Sequence, residues 1–96
     1  MGRLQGKVAI VTGGAAGIGQ ATCRVFADEG AAVVIADVNA KAGKETEREI
    51  AASGGKVRFV KTDVADEASI RRMVKAVVRE FGRIDILVNN AAVFVL

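Results

Sequence analysis

Continuous apolar runs alternate along the chain with amphipathic stretches, and glycines or capping residues separate them. Lys7–Thr12 (KVAIVT) is rich in β-branched residues and predicts a strand buried on both faces, as in a parallel sheet. Ile18–Glu29 then reads as a helix with Ile18, Ala21, Thr22, Val25 and Phe26 on one side, stopped by Gly30. Ala32–Ala36 (AVVIA) is a second buried strand. Asn39 caps a helix running to about Ala52, whose apolar face is thin: Ala42, Thr46 and Ile50. Lys56–Lys61 (KVRFVK) alternates, with Val57 and Phe59 facing away from Arg58, and suits a strand near the sheet edge. Asp66 caps the clearest helix, in which Ile70, Met73, Val74, Val77, Val78 and Phe81 form one stripe ended by Gly82. Ile84–Val88 (IDILV) is a fourth strand, followed by Asn89-Asn90 and an apolar tail to Leu96.

The order is β-α-β-α-β-α-β. Strands alternating with helices imply an α/β domain with a parallel sheet, right-handed crossovers and helices on both faces. The expected strand order is 3-2-1-4, the first half of a Rossmann-type doubly wound fold. Residues 1–96 make one half-domain, with no linker and no repeat.

Composition narrows the chemistry. The 96 residues contain no His, Tyr, Trp or Pro, one Cys (Cys23) and two Ser (Ser53 and Ser69). No His and one Cys exclude Cys/His zinc sites and Ser-His-Asp or Cys-His nucleophile systems, so no metal site is assigned and any chemistry must come from carboxylates, amides, Lys or Arg, the backbone or a bound cofactor. A single Cys forms no intramolecular disulfide, which fits a reducing cytoplasm. The net charge of +3 comes from 14 basic and 11 acidic residues spread along the chain. The longest basic run is Arg71-Arg72, too dispersed for a nucleic-acid footprint. No apolar stretch approaches the ~20 residues of a membrane span.

Candidate chemistry gathers after the strands. Between the first strand and the first helix lies TGGAAGIG, Thr12 to Gly19, whose glycines fit GxxxGxG through Gly13, Gly17 and Gly19. Gly13 and Gly14 give the strand end the freedom for a tight turn, and a side chain at Gly17 would obstruct a phosphate approaching the backbone. Gly19 lets the helix pack close. The helix start then offers free N–H groups and partial positive charge to a pyrophosphate. The alternative is an ordinary glycine-rich turn.

Asp37 lies 20 residues beyond Gly17, at the end of the second strand. That spacing suits a carboxylate accepting hydrogen bonds from the adenosine ribose. It would repel a 2′-phosphate, since two unit charges ~4 Å apart at an effective dielectric of ~20 cost about 4 kcal/mol. NAD is thus expected over NADP. Asp63-Val64 follows the third strand, where the acid suits an adenine amino group and Val64 the ring. For Asp37 and Asp63 the alternative is a plain turn residue before a helix cap. Cys23 reads as a small helix residue, the charges of Lys41–Glu49 as a solvated face, and Asp85 as a surface residue.

Together these residues resemble the classical short-chain dehydrogenase/reductase family, from about Leu4 to Ala92. Thr12–Gly19 matches its TGxxxGxG segment, Asp37 its NAD-selecting acid, Asp63-Val64 its adenine-pocket pair, and Asn89-Asn90-Ala91-Ala92 its NNAG segment, with Ala92 where Gly is usual. The resemblance implies that the backbone of Gly13, Ile18 and Gly19 lies along the pyrophosphate. It places Asn90 and Ala91 beside the nicotinamide-side ribose, while Asn89 braces the sheet.

It also implies an NAD-dependent oxidoreductase of alcohols and ketones, forming homo-oligomers. The family's Ser, Tyr and Lys, in a YxxxK arrangement, lie beyond the NNAG segment; this chain has no Tyr and continues for six residues after Asn90. The expectation is therefore a dinucleotide-binding front part, cut before the catalytic segment, with strand 4 left as an unpaired apolar edge. The competing readings are a non-catalytic adenine-nucleotide module and a partner of a separate catalytic chain.

Overall fold

The computed structural model describes residues 2–90, so the expectations for Ala91, Ala92 and the apolar tail lie outside the described residues. The order is β1 (Val8–Thr12), α1 (Gly17–Asp28), β2 (Ala32–Asp37), α2 (Ala40–Ala52), β3 (Lys56–Lys61), α3 (Glu67–Phe81) and β4 (Ile86–Asn89). The four strands form one parallel sheet in the order β3-β2-β1-β4, as the pattern predicts.

Alternation along each strand divides the interior between two faces. Val8, Ile10, Val34 and Ala36 pack on Met73 and Val77 of α3. Val11, Val33 and Ile35 pack on Cys23 of α1 and Ile50 of α2. β1 is buried along its whole length, which is why its sequence carries no polar alternation. Asp37 falls on the parity of Val33 and Ile35, and so belongs to the α1/α2 face.

Three local readings need correction. The buried side of α1 is Gly19 and Cys23, flanked by Phe26 and Ala27, whereas Ile18 is 78% and Val25 56% exposed. The smallest residues face the sheet because they let the helix come close. Their weak hydrophobicity made the Ile18–Val25 side look like the core side. On α3, Val78 is exposed although it continues the apolar stripe. Glu47 is no solvated charge: its Oε2 accepts from the backbone N–H of Phe59 at 2.7 Å, covering a donor on edge strand β3. Burial pushes the Cys23 thiol up to about 12, which keeps it protonated and inert.

β4 is tied to β1 beyond both ends of its ladder. At the start, the Asp85 Oδ2 accepts from Val8 N–H at 2.8 Å, and Asp85 N–H donates to the Val8 carbonyl at 2.9 Å. Asp85 is at the surface, as expected, yet its side chain is only 17% exposed and pairs with Arg83 at 2.6 Å. At the far end the Thr12 hydroxyl lies 3.2 Å from the Val88 carbonyl and 3.1 Å from Asn89 Oδ1, and it accepts from Asn90 N–H at 2.8 Å.

The Arg83 guanidinium and the Val8 amide hold the Asp85 carboxyl below its ordinary 3.8. A depressed carboxylate stabilises the fold fully above its unfolded value, and that stabilisation is lost as pH falls through the folded value. Acid titration of unfolding should therefore show stability falling below about pH 4, with a shallower fall in Asp85→Ala. Thr12→Val should cost about 1–3 kcal/mol in urea unfolding, and Thr12→Ser should recover most of it. An unchanged midpoint for Thr12→Val would show that the hydroxyl does not hold β4.

Candidate functional site

The carboxyl ends of β1, β2 and β4 bring the candidate residues to one edge of the sheet. β1 and β2 pair through Thr12↔Ala36, so the glycine turn and Asp37 leave the ladder side by side. The Gly13 N–H donates to the Ala36 carbonyl at 2.8 Å, fixing the first residue of the turn. Gly13 and Gly17 have φ of 68° and 60°, a region L side chains rarely enter. A Cβ built at Gly17 meets nothing within 4 Å, so that side of the backbone opens outward. At Gly19 a Cβ would strike the Gly13 carbonyl and come within 2.7 Å of the Asn90 amide nitrogen. Gly19 is needed for that close approach, which is to the turn and to Asn90.

The start of α1 differs from the other two helices. Asn39 and Asp66 cap α2 and α3 with their side chains. Ala16 supplies no side-chain cap to α1, and no acidic residue occupies its first turn. The first amides of a helix have no intrahelical acceptor, so this end presents donors and partial positive charge at Gly17, Ile18 and Gly19.

Asp37 is half-buried and turned toward the turn. Its Oδ2 accepts from Ala15 N–H at 3.1 Å and its Oδ1 from Asn39 N–H at 3.0 Å. Each oxygen retains a second lone pair for a ligand. The Ala15 carbonyl is held in turn by Thr46, whose hydroxyl donates at 3.1 Å. Sequence reasoning placed Thr46 only on the apolar face of α2, since a lone threonine among helix residues carries no motif.

The other site residues are spread along the same edge. The exposed Asp63 accepts from Ala65 N–H at 2.9 Å through Oδ1, and its own N–H donates to the Ser69 hydroxyl at 2.9 Å. Val64 lines an apolar cavity of about 230 Å³ between α3 and β4, together with Thr12, Met73, Leu87 and Asn89. Asn90 is placed by its bond to Thr12 and by its side chain against Gly19. Ala91 lies outside the described residues.

A larger cleft, of about 420 Å³, lies between the C-terminal ends of α1 and α2, where Arg24 pairs with Glu49 at 2.6 Å. It is at the far end of those helices from the glycine turn and gathers no backbone donors. Among the described residues no cluster of His, Cys, Asp and Glu could hold a metal ion, and no helix is long and apolar enough to cross a membrane.

Comparison with known proteins agrees with this architecture. A family model described as short chain dehydrogenase matches residues 7–95. An oxidoreductase of Thermotoga maritima is 53% identical over 90 residues, covering 94% of this chain and 35% of the relative. Galactitol 2-dehydrogenase of Agrobacterium fabrum is 51% identical over 92 residues, covering 96% and 35%. A hydroxysteroid dehydrogenase from Escherichia coli superimposes with a TM-score of 0.92 at 40% identity, over 95% of this chain and 39% of that one. The chain thus spans about a third of the length of the curated relatives it matches. With the parallel 3-2-1-4 sheet and the glycine turn after β1, this places the chain in the short-chain dehydrogenase family.

Proposed function

We propose that the chain is the dinucleotide-binding part of an NAD-dependent oxidoreductase acting on alcohols and ketones. The observation that carries the reading is Asp37: its carboxylate sits against the glycine turn, beside a helix start that has no side-chain cap. The residues fit a dinucleotide. Open space at Gly17 admits a phosphate to the backbone, and Gly17 opens a helix whose first amides have no side-chain cap. Asp37 keeps acceptor capacity for ribose hydroxyls, and Asp63 has a second oxygen for an adenine amino group.

When bound, the nicotinamide supplies the carbon that gives or takes hydride; the protein binds and orients it. In this chain the Gly13–Gly19 backbone and α1 would neutralise the diphosphate. Asp37 would grip the adenosine ribose, while Asn90, and Ala91 after it, would border the nicotinamide-side ribose. The chain has no Tyr, so the proton chemistry of the reaction is assigned to residues outside the matched third of the longer relatives. The names of the relatives, among them a galactitol 2-dehydrogenase, support the oxidoreductase reading over a purely regulatory module.

Preference for NAD follows from charge. A 2′-phosphate would stand against the Asp37 carboxylate at a cost of about 4 kcal/mol at ~4 Å. Lys61 is the register partner of Asp37 on β3, but it is exposed, and water screens its charge. Calorimetric titration should show NAD binding at least tenfold tighter than NADP. Asp37→Ala should weaken NAD about 10- to 100-fold and erase the preference. Equal binding of the two nucleotides by the unaltered chain would contradict the assignment of Asp37.

A further inference from the structure

Thr46 is 1% exposed, and its hydroxyl links three segments of the chain. It donates to the Ala15 carbonyl at 3.1 Å and accepts from Gln20 Nε2 at 3.0 Å. The N–H of the same Ala15 donates to Asp37 Oδ2 at 3.1 Å. Ala15 is therefore held on both sides of its Cα, by β2 through its amide and by α2 through its carbonyl. Ala15 is itself 4% exposed, so neither backbone group has ready access to water as a substitute partner.

We infer that Thr46, oriented by Gln20, is a positioning residue for the Asp37 carboxylate. By fixing Ala15 it fixes the amide that holds Oδ2, and with it the carboxylate's approach to the nucleotide ribose. Thr46 thereby sets the affinity for NAD and the margin over NADP without touching either. The inference rests on the reading of Asp37 as a ribose ligand. A threonine that merely tied α2 to the turn would weaken the fold, or both nucleotides alike. One that acts through Asp37 weakens only the nucleotide Asp37 favours.

The test uses the full chain with substitutions at Thr46 and Asp37, titrated with NAD and with NADP, with folding followed by circular dichroism. Hydrogen exchange of the Ala15 amide is read by NMR without nucleotide. Thr46→Val should weaken NAD about 5- to 20-fold and leave NADP unchanged within about twofold, and Thr46→Ser should restore NAD binding. In an Asp37→Ala background, Thr46→Val should have no further effect on NAD, because the two act as one unit. The Ala15 amide should exchange about tenfold faster or more in Thr46→Val.

Equal weakening of both nucleotides overturns the inference, as does an undiminished Thr46 effect in the Asp37→Ala background or wild-type affinity in Thr46→Val. Should Thr46→Val not fold, Gln20→Leu removes the amide that orients the hydroxyl. It should shift NAD in the same direction by a smaller factor, and no shift there overturns the inference too. If the unaltered chain binds neither nucleotide, the dinucleotide reading itself fails, and the exchange of Ala15 separately reports whether Thr46 holds the turn.

Discussion

The site depends on a carboxylate at the end of one strand accepting a hydrogen bond from the turn that leaves its neighbour. Asp37 and Ala15 meet because β1 and β2 are paired in parallel register through Thr12↔Ala36. Period-two alternation then puts Asp37 on the α1/α2 face, where the turn enters α1. A one-residue slip between these strands would move the carboxylate to the α3 face and separate it from the turn. Val33 and Ile35 packed on Cys23 and Ile50, and Val34 and Ala36 packed on Met73 and Val77, resist that slip, so the core packing fixes the polar corner.

The same division of labour runs along the sheet. The interiors of β1 and β2 are apolar and pack on helices at both faces. The residues that can bind a ligand gather at the carboxyl ends of the strands and in the turns and helix start that follow them. Thr12 shows how the two zones join. It is the last residue of β1 and its backbone completes the ladder, while its hydroxyl sets the course of Asn89 and Asn90. Asp85 does the corresponding work at the other end, where no candidate chemistry lies. β4 is thereby anchored to β1 at both ends, and Asn90 is carried against Gly19.

Much of this was legible in the sequence. Long apolar runs separated by caps specify a parallel strand order, because each run needs two covered faces and each crossover a helix. The glycine spacing and the carboxylate 20 residues later are legible for the same reason: backbone approach and charge leave few residue choices. What escaped the sequence was carried by small or ambiguous side chains. Gly19 and Cys23 form the contact face of α1, yet contribute little hydrophobicity beside Ile18 and Val25. Thr46 and Thr12 act through single hydroxyls whose partners are distant in the chain. Glu47 looks like any surface charge until β3 is placed beside it. Such partners become visible only once the topology is known.

The central claim, that the corner of β1 and α1 with Asp37 forms the dinucleotide site, is tested most directly by mapping NAD onto backbone amides. In a nitrogen–proton NMR titration, NAD should perturb the amides of Gly13 to Gly19 and of Asp37 to Asn39. Ser53, Gly54 and Gly55, at the distant cleft between α1 and α2, should stay in place. Perturbations confined to that cleft, or none at the glycine turn at saturating NAD, would contradict the account.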